Sequence, residues 1–179
     1  MDEPCRVVLI GMMGTGKSTV GKLLEQRTGW PFRDNDALLQ NLFRATPREI
    51  LAAGDEASLL AAEVEALTHG LASPPPSIVA AAGGMIAAEA ARAALRTAGV
   101  VVWLRASERT IHRRATGGEH RPWPDPDRLA WIRAAVARRD PLYESVADLT
   151  LDVDDVPPAA LADEILAHLD QAGVCQGHT

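Results

Sequence analysis

Gly11-Met12-Met13-Gly14-Thr15-Gly16-Lys17-Ser18-Thr19 reads G-x-x-x-x-G-K-[ST], a spacing suited to holding a chain of phosphates. Gly11, Gly14 and Gly16 let the backbone curl tightly and bring its N–H groups against phosphate oxygens without a Cβ in the way. Lys17 adds a full positive charge that reaches β- and γ-phosphates, and the Ser18 hydroxyl can enter a Mg²⁺ shell. A glycine-rich turn that bound nothing would have no use for Lys-Ser. These residues imply binding of ATP or GTP.

Asp34-Asn35-Asp36 supplies two carboxylates. On an extended segment alternate residues share a face, so Asp34 and Asp36 can act together. One can hold Mg²⁺ through water and the other can accept a hydroxyl proton. The plainer account is an acidic turn that caps the following helix. A phosphate loop on a neighbouring strand tips the balance towards function.

Three further stretches carry chemistry. Gly83-Gly84, after Ala82, lets backbone approach a ligand closely, although a simple turn would look the same. Arg113-Arg114-Ala115-Thr116-Gly117-Gly118-Glu119-His120-Arg121-Pro122 mixes glycine hinges with arginine. That composition suits a lid that closes over nucleotide and brings Arg121 to the γ-phosphate. Arg138-Arg139-Asp140-Pro141-Leu142-Tyr143 ends a helical pattern; compensation of the helix dipole accounts for one of these arginines more readily than for both.

The elements that must position these groups follow from hydrophobic patterning. Apolar runs at 6–10, 30–33, 77–82, 100–104 and 149–153 predict strands. Helical patterns cover 17–28, 37–43, 48–53, 57–71, 89–97, 108–115, 126–139 and 159–172, with Ser107 as an N-cap. Alternating β and α with apolar strands predicts an α/β fold, a parallel sheet with helices on both faces. The helix after the phosphate loop then points its positive end at the phosphates. Ligands in such a sheet bind beyond the carboxyl ends of the strands, where Asp34 and Asp36 fall.

A length of 179 residues accommodates one full core, so 1–179 is expected to be a single domain with a frayed tail at 173–179. A net charge of −6 argues against a dedicated nucleic-acid binder. No apolar run is long enough to span a membrane, and Met1-Asp2-Glu3-Pro4 is not the basic start of a signal peptide. Cys5 and Cys175 are the only cysteines and stand at opposite ends. No disulfide framework or zinc site is expected, and a cytoplasmic setting fits.

In content and order these motifs resemble the shikimate kinase family, a branch of the nucleoside-monophosphate-kinase-like P-loop fold. The resemblance runs from about Val7 to Leu169. It implies a three-layer sandwich around a five-stranded parallel sheet, with a lid at about 116–124 and a substrate-binding segment at about 37–67. The implied activity is transfer of the ATP γ-phosphate, with Mg²⁺, to a hydroxyl of shikimate or a related ring polyol in aromatic amino acid biosynthesis. Gly14, Thr15, Gly16, Lys17, Ser18, Thr19, Arg114, Arg121 and Pro158 would bind ATP, Arg114 and Pro158 flanking the adenine. Lys17 and Arg121 would stabilise the transferring phosphoryl group. Ser18 would ligate Mg²⁺ with Asp34 in its water shell. Asp36 would hold the acceptor hydroxyl and take its proton, so Lys17, Asp36 and Arg121 form the catalytic set. Gly83, Gly84 and Arg139 would contact the acceptor, with Arg139 facing its carboxylate. The partners are ATP and a small hydroxylated metabolite, with a monomer expected.

The sequence departs from the family pattern twice. Ala82 stands where the family has the first of three glycines. The family's F-R-x-x-E pattern supplies a carboxylate-binding arginine, and here Leu59 or Leu60 occupies that position. No Lys or Arg occurs from Leu51 to Leu67; Arg44 and Arg48 are the nearest substitutes. A non-carboxylated cyclitol, a gluconate-like sugar acid, or a catalytically silent nucleotide-binding regulator therefore remain alternatives.

Overall fold

Strand β1 (Arg6–Ile10) forms the axis of the sheet because its residues are apolar on both sides of the pleat. Val7 to Ile10 are at most 1% exposed. The computed structural model describes residues 5–115 and 127–173. β1 pairs in parallel with β3 (Ser77–Ala80) on one side and with β4 (Val100–Arg105) on the other. β2 (Phe32–Asp34) lies outside β3, and β5 (Leu149–Asp152) outside β4, giving the order β2-β3-β1-β4-β5.

Parallel neighbours need crossovers, and helices supply them. Helix α1 (Lys17–Thr28) joins β1 to β2. Helices α2 (Asn35–Phe43), α3 (Pro47–Ala53) and α4 (Glu56–Leu71) join β2 to β3. A 3₁₀ turn (Met85–Ala87) and α5 (Glu89–Leu95) precede β4. Helices α6 (Glu108–Arg114) and α7 (Arg128–Glu144) precede β5, and α8 (Pro158–Gln171) ends the described chain. The connection leaving β1 passes β3 to reach β2, while the one leaving β3 passes β1 to reach β4. Opposed crossovers open a crevice at the carboxyl ends of β1 and β3.

Helix starts follow local chemistry. Thr46 and Glu49 form a reciprocal capping box at α3, with Pro47 just inside. Asp55 caps α4 by accepting from the Ser58 N–H at 2.8 Å. Ser107 caps α6 as expected, through the Thr110 N–H. Leu39, Ala62 and Ala66 form a small cluster with Leu38, Ile50 and Leu59, apart from the main core, which fastens α2, α3 and α4 to one another.

Several boundaries differ from expectation. β2 starts at Phe32 because Trp30 leaves the strand to bury its ring in the core. β3 ends at Ala80, and the next two residues lead the chain out towards Gly83. α7 continues through Pro141 to Glu144. A proline there forfeits the hydrogen bond to the Ala137 carbonyl and its ring crowds that carbonyl, and the buried Tyr143 holds the last turn down.

Cys5 is disulfide-bonded, contrary to the expected absence of disulfides. Ends that are distant in sequence need not be distant in space. α8, the last described helix, packs on α1. The chain's only other cysteine, Cys175, lies outside the described residues. Among the described residues, no helix is long and apolar enough to cross a membrane.

Candidate active site

The loop after β1 is shaped by what cannot fit there. A Cβ on Gly11, at φ 138°, would lie 2.4 Å from the Leu104 carbonyl oxygen, so only glycine lets the chain turn off the strand. Gly16 takes φ 96° and caps α1, leaving the helix's first N–H groups open to a ligand. Inside the loop, the Thr15 hydroxyl donates to the Met12 carbonyl at 2.9 Å and is 1% exposed. The Thr15 side chain, placed in the ATP-binding set by sequence, thus braces the loop from within. The Lys17 ammonium donates to the Gly11 and Met12 carbonyls at 2.8 and 2.9 Å and lies along the loop it belongs to.

Asp34 is the last residue of β2 and pairs with Ala80, which sets its carboxylate at the carboxyl edge of the sheet beside α1. The Ser18 hydroxyl donates to Asp34 Oδ2 at 2.5 Å. The other carboxylate oxygen, Oδ1, accepts from the Asp36 N–H at 3.0 Å and so caps α2. Asn35 begins that helix, so the two aspartates converge through a capping turn and not through strand alternation. The plain capping account therefore holds for Asp34, and its other carboxylate oxygen reaches Ser18. Asn35 is 1% exposed, and its amide donates to the Glu63 carbonyl at 3.4 Å, tying α2 to α4.

These residues open onto one cleft of about 780 Å³. Its floor is the phosphate loop with Ser18, Asp34 and Asp36, and the end of β3 forms its back. Leu51, Leu59 and Leu60 supply one wall, while Trp131, Arg138 and Arg139 of α7 supply the opposite one. Gly83 packs directly on the loop, since a Cβ there would be 3.1 Å from the Gly11 carbonyl oxygen. A Cβ on Gly84 would meet the Glu63 carboxylate at 3.1 Å. Ala82, in place of a third glycine, is buried and its methyl is accommodated. Gly83, Gly84 and Arg139 thus share the cleft with Asp36, as expected. Arg139 lies over the Trp131 ring, 5.6 Å from its centroid, and touches Met12 Sδ at 3.4 Å.

Arg114 stands on the other side of the phosphate loop, outside this cleft. It donates to the Val153 carbonyl at 3.3 Å, and its Cβ is where a side chain on Gly14 would collide. Asp154 accepts from the Ser107 N–H at 3.1 Å, which ties the turn leading to Pro158 onto α6. Although burial opposes ionisation, the bonds from Ser107 and Thr110 hold the Asp154 carboxyl below its ordinary range. Arg114 and the Val153 segment therefore flank the loop, with Pro158 at the start of α8. Arg121 and the expected lid at 116–124 lie outside the described residues.

Sequence reasoning missed four contributors. The Tyr143 hydroxyl donates to the Gly83 carbonyl at 2.6 Å, and its ring stacks on Trp103 at 5.7 Å. That bond fixes the glycine carbonyl at the back of the cleft. Trp131 supports Arg139, while buried Glu63 and Asn35 line the floor between α2 and α4. A tyrosine after Pro-Leu was the only visible signal; pairings such as Tyr143 with Gly83 depend on how α7 crosses the sheet. Behind Arg139, burial pushes the Asp140 carboxyl above its ordinary range, with Arg105 opposing the shift and Glu144 adding to it.

A family model described as shikimate kinase matches residues 13–170. The chain is 35% identical over 170 residues to a shikimate kinase of Symbiobacterium thermophilum, covering 93% of this chain and 97% of that protein. It is 35% identical over 162 residues to one of Moorella thermoacetica, covering 90% and 92%. Among solved structures, a shikimate kinase from Acinetobacter baumannii in complex with shikimate superposes with a TM-score of 0.91 at 26% identity, covering 97% of each chain. A gluconokinase from Sinorhizobium meliloti shares the fold, with a TM-score of 0.58 at 24% identity, covering 96% of this chain and 95% of that one.

Proposed function

The chain belongs to the shikimate kinase family, and we propose that it transfers the γ-phosphoryl group of ATP to a hydroxyl of shikimate. The observation that carries this reading is the meeting of Ser18, Asp34, Asp36, Gly83 and Arg139 around a single cleft at the mouth of the phosphate loop. Phosphoryl transfer needs little covalent help from protein; it needs positioning and charge stabilisation.

Each residue then has a task. The loop N–H groups and the start of α1 hold the phosphates, and Lys17 exchanges its loop carbonyls for phosphate oxygens. Asp36 aligns the acceptor hydroxyl and takes its proton as the new P–O bond forms. Arg139, supported by Trp131, faces the acceptor's carboxylate. Arg114 and Pro158 are assigned to the adenine, and Arg121 to the γ-phosphate. The Ser18 hydroxyl and Asp34 carboxylate, 2.5 Å apart, form a hard oxygen pair of the kind Mg²⁺ takes alongside phosphates and water. Mg²⁺ held there would neutralise charge between the β- and γ-phosphates.

The apolar face of Leu59 and Leu60 favours a second reading, an uncharged cyclitol acceptor, because among the described residues no arginine stands on that wall. The test is product identification. ATP, Mg²⁺ and shikimate are incubated with the chain, and phosphorus NMR is read for a phosphate monoester carried on shikimate. ATP consumption without that ester would reject the proposal.

A further inference from the structure

We propose that Arg138 acts with Arg139 as a two-guanidinium clamp on α7 that holds the acceptor's carboxylate, doing the work for which the opposite wall, among the described residues, has no cation. This rests on the shikimate reading above. Among the described residues, the cations that line the cleft are Lys17, Arg138 and Arg139. Lys17 lies at the phosphate end, bonded to its own loop. Arg44 and Arg48, the nearest in sequence to the apolar wall, do not line the cleft.

Arg138 differs from the arginines of this chain that are held by a carboxylate. Arg27, Arg105 and Arg133, for example, each hold a carboxylate. Among the described residues, neither Arg138 nor Arg139 is in an ion pair, although α7 carries Asp140 beside them and Glu144 one turn on. Arg138 is exposed and reaches the cleft; Arg139 is half-buried on Trp131. Both line the cleft from consecutive positions of α7, and a carboxylate there accepts up to four hydrogen bonds.

Charge elsewhere in the cleft fixes the direction of the acceptor. Asp36, Glu56 and Glu63 line it from the side of α2 and α4. A second carboxylate placed there would meet like charge and leucine side chains. Turned towards α7, it meets two guanidinium groups. The ring's remaining face then lies on Leu59 and Leu60, where an apolar surface suits ring carbons.

Steady-state kinetics of the native chain, Arg138→Gln, Arg138→Lys and, as a control outside the cleft, Arg133→Gln would test this, with shikimate and its methyl ester as acceptors. Arg138→Gln should raise the KM for shikimate about 10- to 100-fold, leaving kcat and the KM for ATP within about twofold. Arg138→Lys should recover part of the loss, and Arg133→Gln should match the native chain. With the uncharged ester, native chain and Arg138→Gln should be alike. An unchanged KM for shikimate in Arg138→Gln, or an equal rise for acid and ester, would overturn the clamp. Absence of shikimate turnover by the native chain would overturn the acceptor reading itself, before any variant is compared, and the clamp with it.

Discussion

Asp34 serves two neighbours at once: one carboxylate oxygen accepts from the Ser18 hydroxyl at 2.5 Å and the other from the Asp36 N–H at 3.0 Å. The same side chain thus links the phosphate loop to the start of α2 and orients the segment that carries Asp36. Capping and metal-shell chemistry can be separated here by choice of substitution. Asparagine caps a helix about as well as aspartate, whereas alanine does not. Asp34→Asn should keep the melting temperature of the native chain yet weaken Mg²⁺-dependent turnover at least tenfold. Asp34→Ala should lose both, with a stability cost of about 1 kcal/mol. Thermal unfolding and a Mg²⁺ titration of kcat measure the two effects side by side. A full loss of stability in Asp34→Asn would refute the division.

Lys17→Ala should abolish phosphoryl transfer without unfolding the chain. Lys17 donates to the main-chain carbonyls of Gly11 and Met12 and is partly exposed. Losing a donor aimed at developing charge costs about 3 kcal/mol, so kcat should fall more than a hundredfold. Circular dichroism and single-turnover kinetics would show it; near-native turnover would remove the loop lysine from the mechanism.

Asp36→Asn should lower kcat far more than it weakens ATP binding, because the acceptor hydroxyl and not the nucleotide is its partner. Separate titrations with an ATP analogue and with the acceptor would check this. If ATP affinity collapsed while acceptor affinity held, the tasks given to Asp34 and Asp36 would be exchanged.

Tyr143→Phe removes the hydroxyl that donates to the Gly83 carbonyl and keeps the stack on Trp103. That part-buried bond contributes about 1 kcal/mol. The expected result is a lower melting temperature together with a raised KM for the acceptor and an unchanged KM for ATP. A variant with native acceptor KM would show that the Gly83 carbonyl needs no such hold.

Asp140 gives a pH signature. Burial keeps its folded-state carboxyl above the ordinary range, so the native fold binds this proton more tightly than the unfolded chain does. The associated stability is fully present below about pH 4 and is lost as pH rises through the folded-state value. Asp140→Asn should therefore raise the melting temperature relative to the native chain near neutrality, with the gain shrinking in acid. A gain independent of pH would point to some other cause.

The phosphate loop, the strands and the Asp34–Asp36 segment were legible because each is set by local chemistry: glycine where the chain must turn, apolar residues on both strand faces, a carboxylate at a helix start. The parallel sheet, its five strands and most helices followed from the same patterning and the family resemblance, whereas the strand order was not read from the sequence. Long-range pairings were not legible. Tyr143 reaches Gly83 only because α7 runs on through Pro141, and the proximity of Asn35 to Glu63 depends on the crossing of α2 and α4. Cys5 was misread for a related reason, since separation along the sequence does not decide which side chains meet in the fold.

The central claim concerns the acceptor, and competing turnover tests it most directly. ADP release would be followed with shikimate, gluconate and an uncharged cyclitol, each at matched concentration with saturating ATP and Mg²⁺. The account predicts that kcat/KM for shikimate exceeds the others by at least a hundredfold. A value for gluconate or the cyclitol that equalled or exceeded that for shikimate would contradict it.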